Sequence, residues 1–94
     1  MKIQIEAPFS VNPYLEEVIH KQIGKMATYH SHLIHADVFL RLKDHASPDD
    51  KVVEVRLRKP GPEIFAESYA DTFEKAVAAC AEKLRKQLQK GKRR

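Results

Sequence analysis

The end of the chain has the residue types that point most directly to a chemistry. Seven of the last twelve residues are Lys or Arg and none is acidic, whereas the whole chain has 17 Lys and Arg against 13 Asp and Glu. The positive excess, +4 at pH 7, therefore lies entirely in this segment. Clustered cations bind polyphosphates such as RNA by releasing counterions. The alternative is a solvated helix end whose cations complement the helix dipole. That alternative explains two or three charges, but not seven.

The spacing of these cations predicts that they share one side of a helix. Lys83, Lys86 and Lys90 stand at i, i+3 and i+7, so their side chains project in similar directions. Arg85 lies further round the same helix and can offer planar, bidentate contacts to phosphate. We therefore predict an RNA-binding surface on this helix, which the cations that follow it extend: Lys92 and Arg93.

Cations elsewhere could widen that surface. Lys21 and Lys25 are i, i+4 neighbours on the wet side of an earlier predicted helix, and they would add to the same field if the two helices lay side by side. Arg41 projects outward from a predicted strand, as Arg56 and Arg58 do from the next. For these arginines the alternative is the ordinary outward charge of a half-exposed sheet.

Histidine and cysteine offer two other candidate sites. His30, His32 and His35 could meet around a metal ion if their segment were a loop, but no cysteine or carboxylate pair stands at ligand spacing. We therefore predict surface histidines and no metal. Cys80 is the single cysteine and lies in a helical apolar stripe, so an inert buried thiol is favoured over a nucleophile.

No pattern in the chain favours catalysis. An acyl-phosphate hydrolase of this size would need a glycine-rich, arginine-bearing loop after its first strand, and residues 7–12 contain neither residue type. No phosphate-binding loop or Ser/His/Asp arrangement occurs elsewhere. We predict no enzymatic activity, no cofactor and no small-molecule substrate. Tyr69 and Phe73 are interpreted as rim and core aromatics, without an aromatic platform for unpaired bases.

Hydrophobic periodicity predicts the elements that carry these residues. Alternating patterns predict strands at residues 2–6, 34–43, 51–59 and 63–69; helical patterns predict helices from residue 13 to about 29 and from residue 73 to about 91. A polar turn is predicted at residues 44–50. The result is an α+β fold of order β-α-β-β-β-α, a four-stranded sheet with two helices packed on one face. In the second strand we expect an inward-facing set of Ile34, Ala36, Val38, Leu40 and Leu42.

Composition favours one domain, residues 1–94, with residues 91–94 a frayed basic tail. The N-terminus has no apolar run of the signal-peptide kind, and no window has the ~18 apolar residues of a membrane span. A single cysteine cannot form a disulfide within the chain, so we do not expect a secreted, disulfide-stabilised protein. We expect a cytoplasmic protein that is monomeric when free and has no membrane partner.

With these elements in place, the chain resembles the ribosome hibernation promoting factors, also called ribosome-associated inhibitors. No single motif carries the likeness; an ordered set of short motifs does, over almost the whole chain. The set comprises KIQI at 2–5, KMATY at 25–29, ADVFLRL at 36–42, the strand pair at 53–66, ADTFEKAV at 70–77 and EKLRKQLQK at 82–90.

The resemblance implies a fold related to double-stranded-RNA-binding domains and a stress factor that regulates translation. Its partner would be the small ribosomal subunit with its 16S-type rRNA, in the channel that mRNA and tRNAs use. The family's basic helix positions correspond to Lys21, Lys25, Lys83, Arg85, Lys86 and Lys90, and its basic strand position to Arg41. Because the chain stops at Arg94, it resembles the short form without a dimer-forming second domain.

Two other functions stay open at this point. One is a general double-stranded-RNA-binding module. The other is a protein-interaction domain that associates through an open sheet edge and whose basic tail only adds solubility.

Overall fold

Four strands and two helices follow one another in the predicted order β-α-β-β-β-α. The computed structural model describes residues 1–43 and 48–92, without the side chains of residues 91 and 92. The strands are β1 (Lys2–Glu6), β2 (His35–Leu42), β3 (Lys51–Arg58) and β4 (Ile64–Ala70). The helices are α1 (Pro13–Gly24), a 3-10 turn (Lys25–Thr28) and α2 (Phe73–Lys92). Most of the predicted turn at residues 44–50 lies outside the described residues.

The strands form one sheet in the order β1-β2-β3-β4. β1 runs parallel to β2, whereas β2, β3 and β4 form the predicted antiparallel meander. The register places Arg56 between Asp37 and Phe65, and Glu54 between Phe39 and Glu67. The turn between β3 and β4 contains Gly61 with φ +92°, a left-handed conformation that glycine adopts without a steric cost.

Both helices cover the same face of the sheet and pack against each other. The core is built from one stripe of each helix and from the inward residues of the strands. Its fully buried members include Ile19 and Ile23 of α1, Val77, Cys80 and Leu84 of α2, and Val38, Val53, Val55 and Leu57 of the sheet. The opposite face of the sheet is left open.

Each helix begins at the predicted cap. The Asn12 Oδ1 accepts a hydrogen bond from the Leu15 N–H at 2.8 Å, and Pro13 follows at the first helical position. The Thr72 Oγ1 accepts one from the Lys75 N–H at 3.1 Å. These local signals set where the two helices start.

Three boundary predictions are wrong in detail. α1 ends at Gly24, a residue of low helix propensity, and the chain continues to residue 28 as a 3-10 turn rather than as α-helix. Gly91 does not end α2, which continues to Lys92. Ile34 and Leu42 are 56% and 54% exposed rather than buried, because Ile34 precedes β2 and Leu42 is its last residue, both outside its buried centre.

Candidate nucleic-acid interface

Three lysines form a row on the exposed side of α2: Lys83, Lys86 and Lys90, called here the lysine row. All three are exposed, whereas Leu84 and Leu88 of the same turns are buried in the core. The row lies toward β4, because the Lys83 Nζ donates to the backbone carbonyl of Glu67 at 2.6 Å. A carbonyl is a neutral acceptor, so Lys83 keeps its positive charge in this contact.

Four further lysines, two on α2 and two on the first helical segment, form no ion pair with a described residue. Within residues 1–43 and 48–92, no hydrogen bond or ion pair involves the side chains of Lys86 and Lys90. The same holds there for Lys21, in the last turn of α1, and for Lys25, in the 3-10 turn, and both residues are exposed. The helical segments therefore present five exposed lysines that form no ion pair within the described residues, of which Lys86 also interacts electrostatically with Glu82.

Arg85 lies on another side of α2 and is already engaged. Its guanidinium donates to the Glu82 carboxylate, with Nε and Oε1 3.1 Å apart, and to the Gln89 side chain. The hydrogen-bonded Glu82 carboxylate raises the pKa of Arg85 above its ordinary value, and the nearby Tyr29 adds to this. Arg85 thus faces the junction with the end of the 3-10 turn, and the structure does not place it in the lysine row.

Arg41 lies on the open face of the sheet, away from both helices. It binds Glu67 at 2.6 Å and Glu54 at 3.4 Å, and these carboxylates, Glu67 first, raise the pKa of its guanidinium. The structure therefore does not join Arg41 to the helical lysines, and its contact with RNA stays a prediction. Lys92 ends α2, and its side chain lies outside the described part, as does the whole of Arg93.

His35 does not join His30 and His32 in one cluster. The His30 Nδ1 accepts a hydrogen bond from the His32 backbone N–H at 3.1 Å, but His35 lies on β2 with its Nε2 2.8 Å from the Asp37 Oδ1. In the described part of the chain, no group of three His, Cys, Asp or Glu side chains could hold a metal ion. His30 and His32 therefore contact each other, and His35 contacts Asp37.

Cys80 has the environment of a buried structural residue. Its side chain is fully buried, and its Sγ donates to the Val53 carbonyl at 3.2 Å. Burial raises the pKa of the Cys80 thiol, because desolvation disfavours the thiolate. Since the thiolate is the nucleophilic form, this geometry agrees with the inert thiol predicted from the sequence.

From the sequence, no aromatic platform is expected beside Tyr69, but the structure exposes a second ring on the same strand. Phe65 and Tyr69 of β4 are 48% and 53% exposed on the open face, and Phe39 of β2 lies on the same face. The Arg56 guanidinium lies 5.7 Å from the centre of the Phe39 ring and 5.9 Å from that of Phe65. The i, i+4 spacing of Phe65 and Tyr69 in the sequence indicates that both rings lie on one face of the strand. The strand register that brings Phe39 and Arg56 beside Phe65 cannot be derived from the sequence.

Two solved structures have a fold similar to that of this protein. Within its described residues the protein has no helix long and apolar enough to cross a membrane. A ribosomal subunit interface protein from Coxiella burnetii has a similar structure, with a TM-score of 0.86, 23% identity and full coverage of both chains. The Protein Y N-terminal domain from Thermus thermophilus superimposes with a TM-score of 0.77 and 15% identity, over 97% of this chain and 96% of the other.

At these identities the two structures show a shared fold. No curated protein matches the sequence. The sequence profile of one family matches residues 3–94, which is nearly the whole chain, and that family is the one the resemblance of the sequence indicated. The protein therefore belongs to the Sigma 54 modulation protein / S30EA ribosomal protein family.

Proposed function

We propose that this protein is a non-catalytic inhibitor of translation that binds the rRNA of the small ribosomal subunit and occupies the channel of mRNA and tRNA. Family membership supports a ribosome-associated factor, which acts in the cytoplasm. The observation that carries the proposal is the set of five exposed lysines on the helical segments that form no ion pair within the described residues: Lys21, Lys25, Lys83, Lys86 and Lys90.

The mechanism is electrostatic docking followed by steric exclusion. Lysines fixed on rigid helices place their charges at set distances, so a folded RNA with matching phosphates binds better than a flexible one. The protein measures 42 × 24 × 18 Å, and its helices and sheet share one core. Seated in a channel for nucleic acid, such a body displaces the strands that would otherwise pass through it.

Salt dependence gives the first test. If each of the five lysines neutralises one phosphate, log K falls with log salt at a slope of about −4. The charge reversals Lys83→Glu, Lys86→Glu and Lys90→Glu, made together, should abolish co-sedimentation with small subunits at moderate salt. Unchanged binding by this triple variant would refute the proposal.

The matched control is Lys75→Glu. Lys75 is an exposed lysine in the first turn of α2, outside the lysine row; the helix dipole favours an acidic side chain there and offsets the loss of its exposed ion pair with Asp71. Circular dichroism and thermal unfolding should show both variants folded, and only the triple variant should lose the ribosome.

Competition separates this function from the alternatives. An excess of plain RNA duplex should not displace the protein from small subunits. Displacement at stoichiometric duplex would indicate a general double-stranded-RNA-binding module. Self-association that is insensitive to salt and occurs without RNA would indicate a protein-interaction domain instead.

A further inference from the structure

On the open face of the sheet, two aromatic rings of β4 lie beside cations from outside that strand. Phe65 and Tyr69 project from the same side of this edge strand, about 13 Å apart, since four residues of strand separate them. The Arg56 guanidinium lies beside Phe65, and the Lys43 Nζ lies 4.4 Å from the centre of the Tyr69 ring. Tyr69 stays more than half exposed even with Lys43 against it.

The carboxylates of this face do not make it repel a polyanion. Glu54 and Glu67 bind Arg41, and Glu54 also accepts from the Arg56 Nε at 2.9 Å. Asp37 lies between His35 and Arg58. Only the Nε of Arg56 is used in this way; its terminal nitrogens donate to no acceptor within the described residues. Arg56 is therefore held in place by Glu54 with its outer donors open.

This face is continuous with the lysine row around the edge of β4. Lys83 donates to the carbonyl of Glu67, and the Gln87 Nε2 donates to the carbonyl of Phe65 at 2.9 Å. The backbones of Phe65 and Glu67 are thus in direct contact with α2. A strand of RNA held by the lysine row needs only to turn around this edge to reach Phe65 and Tyr69.

We propose that Phe65 and Tyr69, with Arg56 between the Phe39 and Phe65 rings, form a stacking site for unpaired nucleobases of RNA. The site rests on the proposed function, since the lysine row brings the RNA to it. Aromatic rings and guanidinium planes stack on bases of any sequence, and single-stranded RNA exposes those faces whereas a duplex hides them. Because the two rings are about 13 Å apart, each takes a different base.

The geometry favours RNA over a protein strand as the occupant. A peptide that extended the sheet would need the outward carbonyls of β4, and Lys83 and Gln87 occupy those of Glu67 and Phe65. Cationic groups with open donors beside exposed rings are the combination that single-stranded nucleic acids use, through phosphate contact and base stacking together.

Tyrosine fluorescence provides a direct test. The chain has three tyrosines and no tryptophan, so the double variant Tyr14→Phe/Tyr29→Phe leaves Tyr69 as the single emitter. A 12-nucleotide oligouridylate should quench this emission, and a blunt-ended RNA duplex should not. Phe65→Ala and Tyr69→Ala should each weaken oligouridylate binding about tenfold. Ile34→Ala removes a side chain that is as exposed, 56%, but lies outside this face, and should bind normally.

Ribosome binding separates this inference from the proposed function. The variant Phe65→Ala/Tyr69→Ala should bind small subunits more weakly with an unchanged salt slope, because stacking releases no counterions. Absence of quenching, or normal oligouridylate binding by both alanine variants, would overturn the stacking site. The proposed function would still be tested separately, by ribosome binding of the variant with the charge-reversed lysine row. If the alanine variants lose only a self-association seen without RNA, the face binds protein and the proposal is overturned.

Discussion

The ammonium group of Lys83 lies 2.6 Å from the backbone carbonyl oxygen of Glu67, across the gap between α2 and β4. Gln87, one turn later, makes the same kind of contact with the carbonyl of Phe65. Edge strands with free backbone groups are templates for pairing with other chains, and natural proteins block them. Lys83 therefore has two roles: it covers a sheet edge and presents a charge to solvent.

Removing both edge contacts should expose β4. For Lys83→Ala/Gln87→Ala we expect a loss of about 1 kcal/mol in the free energy of unfolding, since each lost hydrogen bond is exposed and modest. We also expect concentration-dependent self-association in analytical ultracentrifugation. Lys86→Ala, which removes a neighbouring charge with no hydrogen bond, is the control; association of that variant as well would show that lost charge, not the uncovered edge, is responsible.

Releasing Arg85 should strengthen RNA binding. Glu82→Gln removes one negative charge beside the lysine row and the strong hydrogen-bond partner of Arg85. At this exposed site the gain in affinity should be about twofold at low salt and should vanish at high salt. Equilibrium binding of Glu82→Gln and Glu82→Gln/Arg85→Gln, each compared with the parent, measures it. Weaker binding by Glu82→Gln would mean that the pair holds Arg85 in a binding orientation.

The raised pKa of Cys80 predicts how stability depends on pH. Below the thiol pKa of the unfolded chain, about 8.5, both states are protonated and burial has no pH effect. Above it the unfolded chain loses the proton while the folded chain keeps it, so stability falls as pH rises. Urea unfolding at pH 7.5 and 9.5 should show this fall, and Cys80→Ala should lack that part of it. A fall as large in Cys80→Ala would assign the effect to other groups.

The position of the lysine row depends on the core side of α2. Leu84 is fully buried one residue from Lys83, so Leu84→Ala should cost about 2–5 kcal/mol of unfolding free energy. Lys90→Ala, on the exposed side of the same helix, should change it by less than about 0.5 kcal/mol. Thermal and urea unfolding provide the measurement. A small effect of Leu84→Ala would mean that α2 does not depend on the sheet for its position.

The local patterns of the sequence determined the order of the elements, the caps at Asn12 and Thr72, and the common side of Lys83, Lys86 and Lys90. Each of these depends on residues at most seven positions apart, and helical geometry alone relates them.

Only the tertiary structure decided the partners of Arg41, which pairs with Glu54 and Glu67 across two strands, and the meeting of Phe39, Arg56 and Phe65 on the open face. Strand register sets both contacts, and register follows from how the buried residues of three strands fit beneath the helices. A one-residue slip would turn these side chains to the other face, and no pattern within one strand records which register is chosen.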